Sequence, residues 1–171
     1  WSGYSLNAYQ GQMRFGVGGN GGVKVATAAI TTGDWHHVVG TRTGAAIKLY
    51  IDGSLVDTQT DTMTRNVSTH LPLTFGSINN GTEYNGLLDA MVDDVRVWSR
   101  ALSDSEVSTL HTGTIVTPSL TDDLVGVWNF DSADATDSVG SNDGTVTGVD
   151  FISDSGRTVA SFDASAGEKI H

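Results

Sequence analysis

Asp137, Asn142 and Asp143 fall within seven positions of one another on a glycine-punctuated stretch, Asp-Ser-Val-Gly-Ser-Asn-Asp-Gly. That pattern suits Ca2+, which takes roughly six to eight hard oxygen ligands from Asp carboxylates, Asn and backbone carbonyls. The same residue types also cap their own turns with no ion present. Both readings stand at this level.

The other carboxylates point away from catalysis. A retaining glycoside hydrolase needs two acids about 5 Å apart, and on a strand these lie at i, i+2 or i+4 on one face. Asp89 and Asp93 have that spacing, but Asp94 interrupts it and no Glu lies between them. Glu106 belongs to a helix cap. Neither a Gly-x-Ser-x-Gly elbow nor a His-Glu-x-x-His zinc motif occurs. His36 and His37 are adjacent, so on a strand they face opposite sides and do not share a metal, one packing inside and one outside. His70, His111 and His171 stand alone. The chain reads as a non-enzyme, with no catalytic residue assigned.

The elements that would hold these groups are strands. Residues 33–53 carry two strand-like runs, 35–41 and 46–51, around a Thr-Gly turn. In the second, Ile47, Leu49 and Ile51 alternate with Lys48 and Tyr50, as in a half-buried strand. Asp52-Gly53 is a hairpin dipeptide, and residues 54–58 return, giving a three-stranded antiparallel meander. Residues 4–8 and 12–17 form a hairpin about Gln10-Gly11, with Met13, Phe15 and Val17 on one face. A modest strand over 23–29 follows the Gly-rich cluster 18–22. After a polar loop over 61–72 come a short strand at 73–77 and an apolar run at 87–98. Ser103 and Glu106 make a capping box, which predicts a short helix over 104–110 with Val107 and Leu110 inward. It is the one helix expected.

Gly-Asp-Trp-His-His-Val at 33–38 with Leu-Tyr-Ile-Asp-Gly at 49–53 resembles the central signature of laminin G-like jelly rolls, in the concanavalin A-like lectin/glucanase superfamily. The run 88–103, with Asp93-Asp94-Val95-Arg96-Val97-Trp98 and Arg100-Ala101-Leu102, is similar to that family's terminal strand and closing helix. Residues 124–131, 137–144 and 159–163 resemble the family's opening, so the front portion follows the back portion. Ala164 and Val139 stand where Gly and Ser are typical. The family's next strands, with an apolar-x-Trp-Val pattern, do not follow. The expected organisation is a back portion at 1–113, a linker at 114–123 containing Pro118, and a front portion at 124–171. One permuted domain, a junction between tandem repeats, and strand exchange with a neighbouring chain all account for that order.

The resemblance implies an all-β fold: a two-sheet antiparallel jelly-roll sandwich with one short helix. It places the front loop beside the last strand, which would bring Asp93 to Asp137, Asn142 and Asp143 around a structural calcium. Relatives bind sugars through aromatics on the sandwich rim or concave sheet, which makes Tyr4, Tyr9 and Tyr84, with Trp1, the candidate ligand contacts. Scattered surface aromatics are the plain alternative. Trp35, Trp98 and Trp128 read as core.

Composition bounds the partners. Nine Lys and Arg stand against 20 Asp and Glu, a formal net charge of -11. Nucleic acid, anionic lipid and sulfated polysaccharide are therefore poor direct partners. No apolar run reaches the roughly 20 residues of a membrane span. The chain has no Cys, so disulfides do not report its compartment, and no signal peptide is recognised before the pattern begins at Trp1. The expected role is an extracellular or cell-surface binding and adhesion module for carbohydrate or glycoprotein, one unit of a larger protein. A structural module joining neighbouring copies through sheet edges is the alternative, and a glycan hydrolase the third.

Overall fold

The structure is a computed structural model; it describes residues 2–19, 21–68, 70–79, 84–113 and 120–171, without the side chains of 79, 84 and 85. Every strand pairing among them is antiparallel, and one α-helix is present. The fold is an all-β, antiparallel jelly-roll sandwich class with one short helix. The chain divides into two compact units, residues 1–69 with 100–122, and residues 70–99 with 123–171.

The first unit stacks two three-stranded sheets. One has the order β1 (Gly3–Tyr9), β2 (Gln12–Gly19), β3 (Gly22–Ala29); the other has β4 (Val38–Thr43), β5 (Ala46–Ile51), β6 (Ser54–Thr60). Their turns are set by local chemistry. Gln10 and Gly11 have φ of 50° and 74°, and Asp52 and Gly53 have 51° and 75°, the left-handed pair that matches the twist of a two-residue hairpin. Phe15 and Val17 of β2, Ala26 of β3, and Ile47 and Leu49 of β5 form the shared core. Gly40 of β4 sits directly under the Phe15 ring, where any side chain would collide.

Trp35 differs from its expected core position, being 40% exposed. β4 begins only at Val38, so Trp35 lies in the preceding turn and is not subject to the alternation that buries strand residues. Helix α1 (Asp104–Thr112) opens with the capping box, Ser103 accepting from the Glu106 N–H and Glu106 accepting from the Ser103 N–H, and closes on Gly113 at φ 64°. Val107 is buried.

The second unit holds β7 (Ile78–Asn79), β8 (Tyr84–Asn85), β9 (Ala90–Val92), β10 (Val95–Trp98), β11 (Leu124–Trp128), β12 (Val146–Thr147), β13 (Asp150–Asp154), β14 (Arg157–Phe162) and β15 (Lys169–Ile170). Strands from either side of residues 114–123 pair here: β10 with β11, and β14 with β9. Trp128, Phe130, Val149, Phe162 and Ile170 are buried together, with Phe75, Val92 and Val95 packed against them. The apolar side of β9 and β10 is thereby shielded by the later strands of the same chain. The strand expected at 73–77 shrinks to one bridge, Phe75 with Ile170.

Candidate functional site

The outer face of the second sheet in the first unit carries a polar groove. Cross-strand pairing places Thr41 opposite Lys48 and Thr43 opposite Ala46, so these four share a face, while Gly40, Ile47 and Leu49 serve the core. Ala101, Leu102, Ser103 and Asp104, at the start of α1, form the opposite wall of an open groove of about 480 Å³. Lys48 Nζ and Tyr50 Oη both donate to Asp104 Oδ1, at 2.7 and 2.6 Å. The Lys48 and Tyr50 bonds hold the Asp104 carboxyl below the usual carboxylate range. Arg100 donates to both oxygens of Glu106, at 3.1 and 2.7 Å. Each charge on the groove wall thus has an opposite partner. The result is a neutral, hydroxyl-bearing groove with a small apolar lining (Ala46, Ala101, Leu102), suited to hydrogen-bonding a polyhydroxylated, uncharged ligand.

Sequence reasoning missed this groove. Its only local signal was the capping box, which fixes the helix start without saying which sheet face it meets.

The paired histidines do separate work. His36 Nδ1 lies 2.8 Å from Asp52 Oδ2 and its Nε2 2.8 Å from Thr31 Oγ1; the His37 N–H donates to Asp52 Oδ1 at 3.0 Å. The His37 ring instead faces His111 of α1, centroids 5.7 Å apart. Burial alone would raise the Asp52 carboxyl, but the bonds from His36 and His37 hold it below its ordinary value. Hydroxyl, imidazole and carboxylate come in the order of an acyl-transfer relay. However, the relay carboxylate is buried in such enzymes, and the Asp52 side chain is 41% exposed here. The arrangement clamps the turn before β4 onto the Asp52-Gly53 hairpin.

In the second unit, the loop after Trp128 closes on its own carboxylate. Asp137 Oδ1 accepts from the N–H of Val127 at 3.0 Å and of Val139 at 3.2 Å. Its Oδ2 accepts from the Asn142 N–H at 3.1 Å and Asn142 Nδ2 at 2.9 Å. Asp143 Oδ1 accepts from the Asp137 N–H at 2.9 Å, and the Asn142 carbonyl accepts from the Trp128 indole at 3.1 Å. Burial would push the buried Asp137 carboxyl up; the N–H groups of Val127, Asn142 and Val139 outweigh it and hold it far below the usual range.

Asp93 is engaged elsewhere, 3.0 Å from Arg157 and accepting from the Asp94 N–H. Burial pushes its carboxyl up, and the neighbouring Asp94 charge adds to this. Four donors converge on Asp137 where a cation would require bare oxygens, and no group of three acidic or imidazole side chains among the described residues surrounds a common point. As arranged, Asp137, Asn142, Asp143 and Asp93 do not fit Ca2+. Asp89 and Asp93 flank β9 at either end.

Tyr4 and Tyr9 are 54% and 55% exposed but lie at even and odd positions of β1, on opposite faces, so one ligand does not stack on both. Tyr4 stacks on Phe15, centroids 6.1 Å apart; Arg14 sits over Tyr9 at 5.4 Å. The backbone of Tyr84 is in β8, while its side chain, like Trp1, lies outside the described residues.

A laminin G family, described as the concanavalin A-like lectin/glucanases superfamily, matches residues 2–108. A crystal structure of an S-layer domain-containing protein (residues 221-444) from Clostridium thermocellum ATCC 27405 is similar at 32% identity and a TM-score of 0.40, covering 59% of this chain and 52% of that one. The chain therefore spans about half the length of that structure. No curated protein matches it.

Proposed function

The chain belongs to the laminin G family of the concanavalin A-like lectin/glucanase superfamily, and from that premise we propose that it is an extracellular, non-catalytic module that recognises carbohydrate or glycoprotein. Domains of this type are generally binding modules, although the superfamily includes glycan hydrolases. The observation that carries the reading is the charge-compensated groove between the outer face of β4 and β5 and the start of α1.

A saccharide presents hydroxyls that both donate and accept, with apolar C–H patches between them. Thr43 supplies a matching hydroxyl, Lys48 and Asp104 a fixed donor and acceptor, and Ala46 and Ala101 a small apolar floor. Because Lys48 is paired with Asp104 and Arg100 with Glu106, the groove offers no surplus cation. Neutral sugars suit it better than sulfated ones, in keeping with a net charge of -11.

The test is glycan-array binding by the whole chain, followed by titration of the best neutral glycan against Thr43→Val and Lys48→Ala. Binding weakened about tenfold or more by either variant, with unfolding midpoints unchanged, supports the groove. No glycan bound, or binding indifferent to both substitutions, refutes it.

A further inference from the structure

Thr41 lines the groove but is only 7% exposed. A hydroxyl so deeply placed ordinarily has a hydrogen-bond partner, and among the described residues the Thr41 hydroxyl has none. Nor is it one of the polar atoms sealed inside the fold, so a group lying in the groove can reach it. Lys48 stands directly across the strand pair from Thr41. Two bonding positions beside it are also open. Lys48 Nζ and Tyr50 Oη both donate to the same oxygen of Asp104, Oδ1. Oδ2 accepts from no other described residue, on a side chain that is 61% exposed. An ammonium has three N–H groups, and Lys48 directs one of them to Asp104. The Lys48 and Tyr50 bonds thus fix the carboxylate and leave one acceptor of Asp104, a spare donor of Lys48 and the Thr41 hydroxyl facing one space.

Resting on the reading of this groove as a sugar site, we propose that Thr41, Lys48 and Asp104 together recognise two adjacent hydroxyls of a neutral pyranose. One hydroxyl donates to Asp104 Oδ2. Its ring neighbour accepts from the spare Lys48 N–H and donates to Thr41 Oγ1 on the floor. A hydroxyl is suited to the second position because it donates and accepts at once. A ligand carboxylate or sulfate brings no proton for Asp104 and meets its negative charge, so acidic sugars are disfavoured. The ring carbons between the hydroxyls lie against Ala46 and Ala101, which line the same groove. Selectivity follows from what a missing hydroxyl leaves behind. A site built to hydrogen-bond a hydroxyl discriminates against the analogue lacking it, because its own polar groups are then unpaired. The exposure of Asp104 lets water replace part of that loss, which sets the expected discrimination near the low end.

The test is an amide chemical-shift titration of the full, isotope-labelled chain with the methyl glycosides of glucose, galactose and mannose. Each is run beside the forms lacking one ring hydroxyl. At least one parent glycoside should shift the amides of β4, β5 and the start of α1. Removing either of two adjacent hydroxyls from it should weaken binding about tenfold or more, and removing a hydroxyl elsewhere should change it little. Thr41→Val and Asp104→Asn should each weaken the same parent about tenfold. Thr41→Val should not lower the unfolding midpoint, because its hydroxyl has no protein partner to lose. Glycerol, which has adjacent hydroxyls but no ring, should bind more weakly than the parent glycoside. Indifference to the loss of every single hydroxyl overturns the inference, as does wild-type binding by Thr41→Val or equal binding of glycerol. The groove reading survives those results if Thr43→Val or Lys48→Ala still weakens an array glycan. If none of the three glycosides shifts these amides, the inference falls, and if no array glycan binds either, the groove reading falls with it.

Discussion

Replacing Asp137 by Ala removes the acceptor of four N–H groups at once, three on the backbone (Val127, Val139, Asn142) and one on the Asn142 side chain. A buried donor left without a partner costs roughly 1–3 kcal/mol, so the three backbone donors alone set a ceiling near 9 kcal/mol. Residues 138–143 are exposed, and water reaching the emptied site recovers part of that. The expected loss is about 3–5 kcal/mol, a large share of the roughly 5–15 kcal/mol that holds a domain folded. Asp137→Asn keeps one acceptor oxygen but turns an NH₂ toward the remaining donors, and should lose a similar or slightly smaller amount. Urea unfolding followed by tryptophan fluorescence reads this directly, because the Trp128 indole is bonded to the same loop. Chelator should leave the wild-type transition unmoved, since the loop is held by its own N–H groups. A loss under about 1 kcal/mol in Asp137→Ala would show that the carboxylate holds little. A wild-type midpoint that falls with chelator and returns with Ca2+ would show that an ion, and not the backbone, is its partner.

Two further outcomes test other parts of the fold. Gly40→Ala would put a Cβ about 2.2 Å from Phe15 Cδ2, so it should destabilise by about 1–3 kcal/mol. Gly40→Ala combined with Phe15→Leu should cost less than the sum of the two changes in a thermal double-mutant cycle. Glu106 is lowered from 4.5 to about 2 by Arg100 first, then by the Ser103 N–H and hydroxyl. A depressed carboxylate stabilises the fold above its unfolded value, so the benefit is complete above pH 4.5 and is lost as pH falls toward 2. After screening at a partly exposed pair it amounts to about 1–2 kcal/mol. Glu106→Gln should flatten that part of the acid limb in urea titrations at stepped pH.

Much of the framework was legible because its causes are local. Gln10-Gly11 and Asp52-Gly53 specify left-handed turns wherever they occur between alternating runs, and the strands around them follow. The capping box at Ser103 and Glu106 is complete within four residues. Trp35 misled because a strand's first residue is set by where its partner ends: β5 stops at Ile51, which pairs with Val38, and Trp35 is left outside the ladder. The 73–77 run misled similarly, since a short apolar stretch becomes a strand only if a neighbour lies alongside, and only Phe75 found one.

By itself, the sequence determined the antiparallel class, the hairpins, the helix and the loops carrying acidic and amide side chains, because backbone preference and alternation act over a few residues. It also determined the acidity, which bounds the partners from a distance. The tertiary structure decided what those side chains face. In the Asp137 loop, a carboxylate and an amide suited equally to an ion or to N–H groups met N–H groups, because Val127 lies in β11 beside the turn. At Thr41, Thr43 and Lys48, ordinary strand residues became a groove only because α1 starts over that face, a contact between positions more than fifty residues apart that no local preference encodes.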